Sequence, residues 1–161
     1  MKIAIFGASG ATRRLLTERC LAAGYEVAAL LRTSQTFPLR DRVRVVRGDA
    51  FDAAAVGQTV AGADVVLSAL GARSLKREDV LERAVPLIVA AMQENGVRRI
   101  IALGGASALP GSLSRQPMIV GWLIRKVLYD GILKWPTTSQ RAQLASLEAS
   151  GLEWTMVLPP M

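Results

Sequence analysis

Histidine is absent from this chain of 161 residues, and cysteine occurs once, at Cys20. Histidine is the usual general base near neutral pH and the commonest metal ligand, so we expect no metal site. A single cysteine excludes an intrachain disulfide. No apolar run reaches the roughly 18 residues of a membrane span, and the N-terminus lacks the apolar stretch of a signal peptide. These absences predict a soluble, cytoplasmic protein without a membrane partner.

Acidic residues are the other shortage, because 20 Lys and Arg face 13 Asp and Glu, which gives a net charge of +7. The basic residues are scattered through several segments of the chain, and no aromatic residues alternate with them as in a single-strand binder. The charge therefore favours an anionic small molecule over a specific nucleic acid. A nonspecific nucleic-acid binder remains an alternative that steep salt dependence of DNA binding would support.

Apolar β-forming runs alternate with stretches of helical periodicity along the whole chain. This pattern predicts an α/β fold with a doubly wound parallel sheet of about six strands and helices on both faces. At this length, one domain over residues 1–161 is expected. The predicted strands are 2–6, 27–31, 43–47, 63–70, 98–103 and 154–158. The predicted helices are 13–23, 53–60, 76–94 and 137–149, and residues 118–133 are predicted to form one helix or two short ones.

The first predicted strand runs into the glycine turn Gly7-Ala8-Ser9-Gly10-Ala11-Thr12, and a helix and a second strand follow. Such a turn directs backbone N–H groups and the positive end of a helix at one point, where a pyrophosphate fits. We therefore predict that Gly7, Ser9, Gly10, Ala11 and Thr12 bind a dinucleotide; a purely structural turn is the alternative. Arg13 occupies the place where a third glycine would allow close packing of helix and strand.

Arg32 ends the second predicted strand, where dinucleotide folds choose between cofactors. A carboxylate there would bind the ribose hydroxyls of NAD, whereas an arginine accommodates the 2′-phosphate of NADP. The run Leu31-Arg32-Thr33-Ser34 holds no carboxylate. It predicts NADP with Arg32 and Thr33 at the phosphate and makes NAD less favoured; a solvated arginine is the alternative.

Three further segments follow predicted strands. Asp49, with Ala50 beside it, would accept a hydrogen bond from the adenine amino group, or it is a turn aspartate. Leu70 and Gly71 would let a ribose or nicotinamide lie against the backbone, or they serve close packing. Ser107 would polarise a substrate as the one catalytic candidate, or it is a loop serine.

In combination, these segments resemble the atypical short-chain dehydrogenase/reductase family that binds NAD(P)H, close to the biliverdin reductase B/flavin reductase type and to NmrA-like proteins. The matching stretches are spread along the chain in family order. They are Ile3 to Thr12, Gly24 to Val27 with Leu31-Arg32, Val46 to Asp49, Gly104 to Ala106, and Ser150 to Thr155 with Pro159-Pro160.

The resemblance implies a Rossmann sheet in the order 3-2-1-4-5-6, with NADPH bound by the Gly7–Thr12 turn, Arg32 and Asp49. It implies hydride transfer by proximity of nicotinamide and substrate, without a Tyr/Lys pair. In the flavin reductase type a serine follows the fifth strand, but here its place is taken by Gly105. Family members usually continue past the double proline with a segment that helps form the substrate pocket, so we expect the C-terminal part to be truncated.

Two hypotheses for function follow. The first is an NADP-dependent oxidoreductase domain that acts on a small flavin-, quinone- or carbonyl-type substrate. The second is a non-catalytic NAD(P)-sensing regulatory protein of the NmrA-like kind. The residues leave the oligomeric state open between monomer and dimer.

Overall fold

The computed structural model describes residues 1–7, 11–32, 37–71, 78–105 and 134–158. Strands and helices alternate along these residues as predicted. The strands are β1 Lys2–Phe6, β2 Glu26–Leu31, β3 Arg44–Arg47, β4 Val65–Ser68, β5 Arg99–Leu103 and β6 Glu153–Val157, and the helices are α1 Ala11–Ala22, α2 Ala53–Val60, α3 Val80–Glu94 and α4 Lys134–Glu148, with a 3-10 turn at Arg40–Arg42.

The strands form one six-stranded sheet in the order β3-β2-β1-β4-β5-β6, and every neighbouring pair is parallel. Both the predicted fold class and the strand order are confirmed. The register places Phe6 opposite Leu30 on one side and opposite Ser68 on the other. The strand ends are therefore level across the middle of the sheet, and the residues that follow them share one edge.

Helices cover both faces of the sheet. On one face, α2, α3 and α4 pack on a core that includes Phe6, Val66 and Ile100. On the other face, α1 and the segment before β3 pack on a second core that includes Ile5 and Ala29. Alternate residues of each strand point to opposite faces, which explains why the central strands are apolar throughout.

Helix bounds differ from the predictions mainly at the N-termini. α1 begins at Ala11 rather than 13, and α4 begins at Lys134 rather than 137. Pro136 lies in the first turn of α4, where a backbone N–H has no helical partner, so proline is tolerated there. α2 begins as predicted, because the Asp52 side chain accepts hydrogen bonds from the N–H groups of Ala54 and Ala55. The predicted helix over 118–133 lies outside the described residues.

Gly7 joins the end of β1 to the backbone that follows β4. Its φ of +85° is in the left-handed region, and a Cβ added to it would lie 2.9 Å from the Ala69 carbonyl oxygen. The amide of Ala69 donates to the carbonyl of Phe6 at 3.0 Å, so this contact is fixed by backbone. Only glycine satisfies both the conformation and the space.

Gly62 shares the left-handed conformation of Gly7 but not its close contact, so it allows the two effects to be measured separately. Gly62 has a φ of +73°, but a Cβ there would meet nothing within 4 Å. We expect Gly62→Ala to lower the free energy of unfolding by about 1 kcal/mol, the cost of the left-handed conformation. Gly7→Ala should cost at least about 1 kcal/mol more, because backbone must move. Urea unfolding of both variants measures the difference, and equal losses would contradict the close contact with β4.

Candidate functional site

The residues that follow four neighbouring strands meet at the carboxyl edge of the sheet, because the strands are parallel and their ends are level. This edge therefore gathers all of the predicted cofactor-binding residues that the structure describes. They are Gly7 and Ala11-Thr12 after β1, Arg32 after β2, Asp49 and Ala50 after β3, and Leu70 and Gly71 after β4. Their binding of a cofactor stays a prediction.

The amino end of α1 lies at this edge, directly after the turn that leaves β1. Ala11 and Thr12 are its first residues, and its first turn contains no acidic side chain. The unpaired N–H groups of a first helical turn and the helix dipole favour an anion in this position. Ser9 and Gly10, which belong to the same prediction, lie outside the described residues.

Arg32 and Asp49 flank the ends of β2 and β3, and both are half-buried. Asp49 Oδ1 accepts a hydrogen bond from the Phe51 N–H at 3.2 Å, as expected for an aspartate that stabilises a turn through the backbone two residues on. Oδ2 accepts no hydrogen bond from the described residues, so the turn leaves one carboxylate oxygen for a ligand. The side chain of Arg32 makes no ion pair with a described carboxylate.

Small and apolar residues form the neighbouring part of the edge. Ala50 and Leu70 are half-buried and pack against the core between the sheet and α2 to α4. Gly71 is also half-buried. Two strands lie between β3 and β4, so a flat apolar group could lie against Leu70 and Gly71 without contacting Ala50. Thr33 and Ser107, the remaining predicted residues, lie outside the described part of the chain.

Two glutamines of α4 bind the end of β5, and sequence reasoning did not single them out. The Gly105 N–H donates to Gln140 Oε1 at 3.2 Å, and Gln143 Nε2 donates to the Leu103 carbonyl oxygen at 3.1 Å. Gln140 and Gln143 are three residues apart, so they lie on one helix face. Two glutamines at this helical spacing were the available signal, but nothing local shows which strand they contact.

Further polar side chains are buried near the same edge. Ser139 Oγ lies 2.8 Å from Glu82 Oε1 and 3.0 Å from the Glu78 carbonyl oxygen, which ties α4 to α3. The hydroxyl has one hydrogen, so it donates to one of them at a time. Ser68, at the end of β4, is 4% exposed, yet its hydroxyl has no partner among the described residues.

The described residues do not support a reactive thiol, a metal site or a membrane span. Burial raises the pKa of the Cys20 thiol, which disfavours the reactive thiolate. No group of three or more Cys, Asp or Glu side chains in this part of the chain could hold a metal ion. None of its helices is long and apolar enough to cross a bilayer.

A matched pair of serines tests the polar contacts. Ser139 and Ser68 are 3% and 4% exposed, but only Ser139 forms hydrogen bonds with described residues. We expect Ser139→Ala to lower the free energy of unfolding by about 1–2 kcal/mol, because the buried side of Glu82 loses its donor. Ser68→Ala should change it by less than about 0.5 kcal/mol. Urea unfolding measures both free energies. A decrease in Ser68→Ala as large as that in Ser139→Ala would contradict this expectation and indicate a hydrogen-bond partner for Ser68.

Solved structures share this fold over nearly all of the chain. A short-chain dehydrogenase/reductase from Veillonella parvula in complex with NADP is 24% identical, with a TM-score of 0.73, over 98% of this chain and 68% of that one. ChuY, an anaerobillin reductase from Escherichia coli, is 18% identical, with a TM-score of 0.74, over 99% and 72%. WbmH from Bordetella bronchiseptica in complex with NAD⁺ is 19% identical, with a TM-score of 0.68, over 98% and 55%.

These similarities establish the fold, and the chain spans about two thirds of the first two proteins and about half of the third. The family is established separately. The model of a family described as NAD(P)H-binding matches residues 7–161. That match includes every strand after β1 and the glycine turn itself. The chain therefore belongs to the NAD(P)H-binding family.

Proposed function

We propose that this chain is an NADP-dependent oxidoreductase domain that transfers hydride between nicotinamide and a small flavin-, quinone- or carbonyl-type substrate. One observation carries the proposal: the turn at Gly7, the amino end of α1 and the side chain of Arg32 lie at the same edge of the sheet. Membership of the NAD(P)H-binding family supports the class of cofactor.

The residues at this edge fit a dinucleotide in shape and in charge. Gly7 brings the backbone of β1 close to that of β4, so the chain leaves the sheet at this point without a side chain between the two strands. The first turn of α1 carries no acidic residue that would repel an anion. Ala50 lies beside Asp49 after β3, where adenine would bind, and Leu70 and Gly71 after β4 would lie along the ribose; all three are half-buried.

Arg32 supports NADP rather than NAD. A guanidinium binds phosphate oxygens through charge-assisted hydrogen bonds, and it cannot accept hydrogen bonds from the two ribose hydroxyls as a carboxylate does. The NADP complex of the Veillonella parvula structure agrees with this preference, whereas the NAD⁺ complex of WbmH shows that the fold serves both cofactors.

The bound cofactor would supply the hydride, and the chain would supply position. Backbone N–H groups at the amino end of α1 would hold the diphosphate, and Arg32 would fix the adenosine end. Gln140 and Gln143 hold the end of β5 in place, so Gly104 and Gly105 form a fixed border of the site. Such positioning alone accounts for a large part of the rate of a hydride transfer.

Replacement of Arg32 tests the choice of cofactor. We expect Arg32→Ala to weaken NADPH binding by tenfold or more, since about 1.5–3 kcal/mol is typical for a hydrogen bond to a charged group. NADH affinity should stay within about twofold, because NADH lacks the phosphate. Arg98→Ala is the control, since Arg98 is an exposed arginine at the opposite edge that pairs with Glu153 at 3.6 Å. Fluorescence titration of the wild type and both variants measures the NADPH and NADH affinities, and unchanged NADPH affinity in Arg32→Ala would refute the phosphate assignment.

Turnover separates the oxidoreductase from the alternative. With NADPH in excess, we expect NADPH to be oxidised only when both the protein and a flavin or quinone acceptor are present. The loss of reduced-nicotinamide absorbance measures this oxidation. The Gly7→Ala variant, at a temperature where it remains folded, should show less oxidation because the turn is displaced. Tight NADPH binding without reduction of any acceptor would instead favour a non-catalytic NAD(P)-sensing regulatory protein.

A further inference from the structure

The turn after β3 contains an aromatic residue that lies outside both apolar cores of the described chain. Phe51 is half-buried and belongs to neither core, although its neighbour Ala50 packs against one of them. The ring instead faces the guanidinium group of Arg83 in α3, whose Cζ is 4.2 Å from the ring centroid. A cation within about 6 Å of an aromatic face is attracted to it, so Arg83 helps to fix the position of this ring.

Arg83 contacts the turn from a helix that begins at the carboxyl edge of the sheet. α3 follows β4 and starts at Val80, so Arg83 is close to its amino end. Arg83 Nη1 lies 3.5 Å from Asp79 Oδ2, and this ion pair keeps the guanidinium near that end of the helix. The contact with Phe51 therefore joins the segment after β3 to the helix after β4, two parts that are distant in the sequence.

Phe51 is also the residue that orients Asp49. Its N–H donates to Asp49 Oδ1 at 3.2 Å, and the Asp52 N–H donates to the Asp49 carbonyl oxygen at 3.0 Å. These two bonds close a turn with Ala50 and Phe51 at its central positions. Because the Phe51 amide holds Oδ1, the direction of the other carboxylate oxygen, Oδ2, depends on where Phe51 lies.

The hydrogen bonds of the turn are local, so they fix its shape but not its position relative to the rest of the edge. A contact with another element is needed for the position, and the ring of Phe51 against Arg83 is such a contact. A continuous series of contacts therefore runs from Arg83 through Phe51 to Asp49, the residue predicted to bind the adenine amino group.

We propose that Arg83 is a positioning residue for the adenine of the cofactor. It holds Phe51, and through the Phe51 amide it directs Asp49 Oδ2 at the adenine amino group. This inference rests on the proposed function, because it takes adenine to lie beside Asp49. Arg83 itself would contact neither the base nor a phosphate, so its contribution concerns only ligands that have a donor at that place on the base.

The test uses an NADPH analogue in which hypoxanthine replaces adenine, so that a carbonyl oxygen takes the place of the amino group. A carboxylate accepts a hydrogen bond from the amino group but not from the carbonyl oxygen. Calorimetry measures both affinities, and we expect the wild type to prefer NADPH by about tenfold or more. Arg83→Gln should weaken NADPH binding about threefold, whereas its affinity for the analogue should stay within about twofold of wild type.

Further variants show whether the effect passes through the ring and the carboxylate. Phe51→Leu removes the aromatic face and should lower the preference as much as Arg83→Gln, and the double variant should lower it no further, because both changes remove one contact. Asp49→Asn keeps an acceptor for the Phe51 amide but turns a donor toward the base, so it should abolish the preference. Arg98→Gln removes the same charge from the opposite edge of the sheet and should leave the preference unchanged.

The outcomes distinguish this inference from the function on which it rests. If the folded wild type binds neither dinucleotide, the proposed function fails, and the inference fails with it. If the wild type binds NADPH and Asp49→Asn keeps the preference for adenine, the proposed function is unaffected but Asp49 does not bind the amino group, which overturns the inference. If Asp49→Asn abolishes the preference and Arg83→Gln leaves it unchanged, Arg83 has no positioning role.

Two other results would also contradict the positioning role. Equal weakening of NADPH and of the analogue by Arg83→Gln would indicate a direct contact with a group that both ligands share, such as a phosphate. Losses that multiply in the double variant would show that Arg83 and Phe51 act independently rather than through one contact. Urea unfolding of Arg83→Gln completes the comparison, because a lower free energy of unfolding with an unchanged preference would show that the stack serves stability alone.

Discussion

Parallel backbone hydrogen bonding is the constraint on which the site depends. It keeps β1 level with β2 on one side and with β4 on the other, so Phe6 lies opposite both Leu30 and Ser68. Every strand then ends at the same edge, and segments distant in the sequence become neighbours there. A slip of one residue would exchange the two faces of a strand, so that Ala4 and Phe6 of β1 would take the places of Ile3 and Ile5 and disturb the packing of both cores. The apolar cores on both faces therefore fix the position of the site as well as the stability of the fold.

Charge at this edge is concentrated next to β2 and β3. Arg32 follows β2 and Arg47 ends the neighbouring strand β3, while Arg44 donates to carbonyl oxygens at the end of α2. The amino end of α1 adds a partial positive charge on the side that Arg47 occupies. These contributions favour an anionic ligand at this edge. The net charge of +7 is consistent with this interpretation, but its effect depends on where the arginines lie.

Helix α4 completes the edge with polar rather than charged contacts. Gln140 and Gln143 bind the backbone at the end of β5, and Ser139 binds Glu82 of α3. The helix thus links the fifth strand to the neighbouring helix at the carboxyl edge of the sheet. Buried hydrogen bonds of this kind are costly to leave unpaired, which makes them specific for one arrangement of the elements.

The sequence by itself determined the elements whose causes are local. The apolar strand before the Gly7 turn and the Asp52 cap of α2 depend on residues within a few positions, so both could be predicted. Arg32 was predicted to lie at the site because the order of strand, turn and helix fixes it. Only the tertiary structure brought Arg83 to Phe51 and Gln140 to Gly105, because helix docking depends on packing between distant segments. The exposure of Arg47 and the burial of Gln143 were decided in the same way, since neighbouring residues in the sequence do not contain that information.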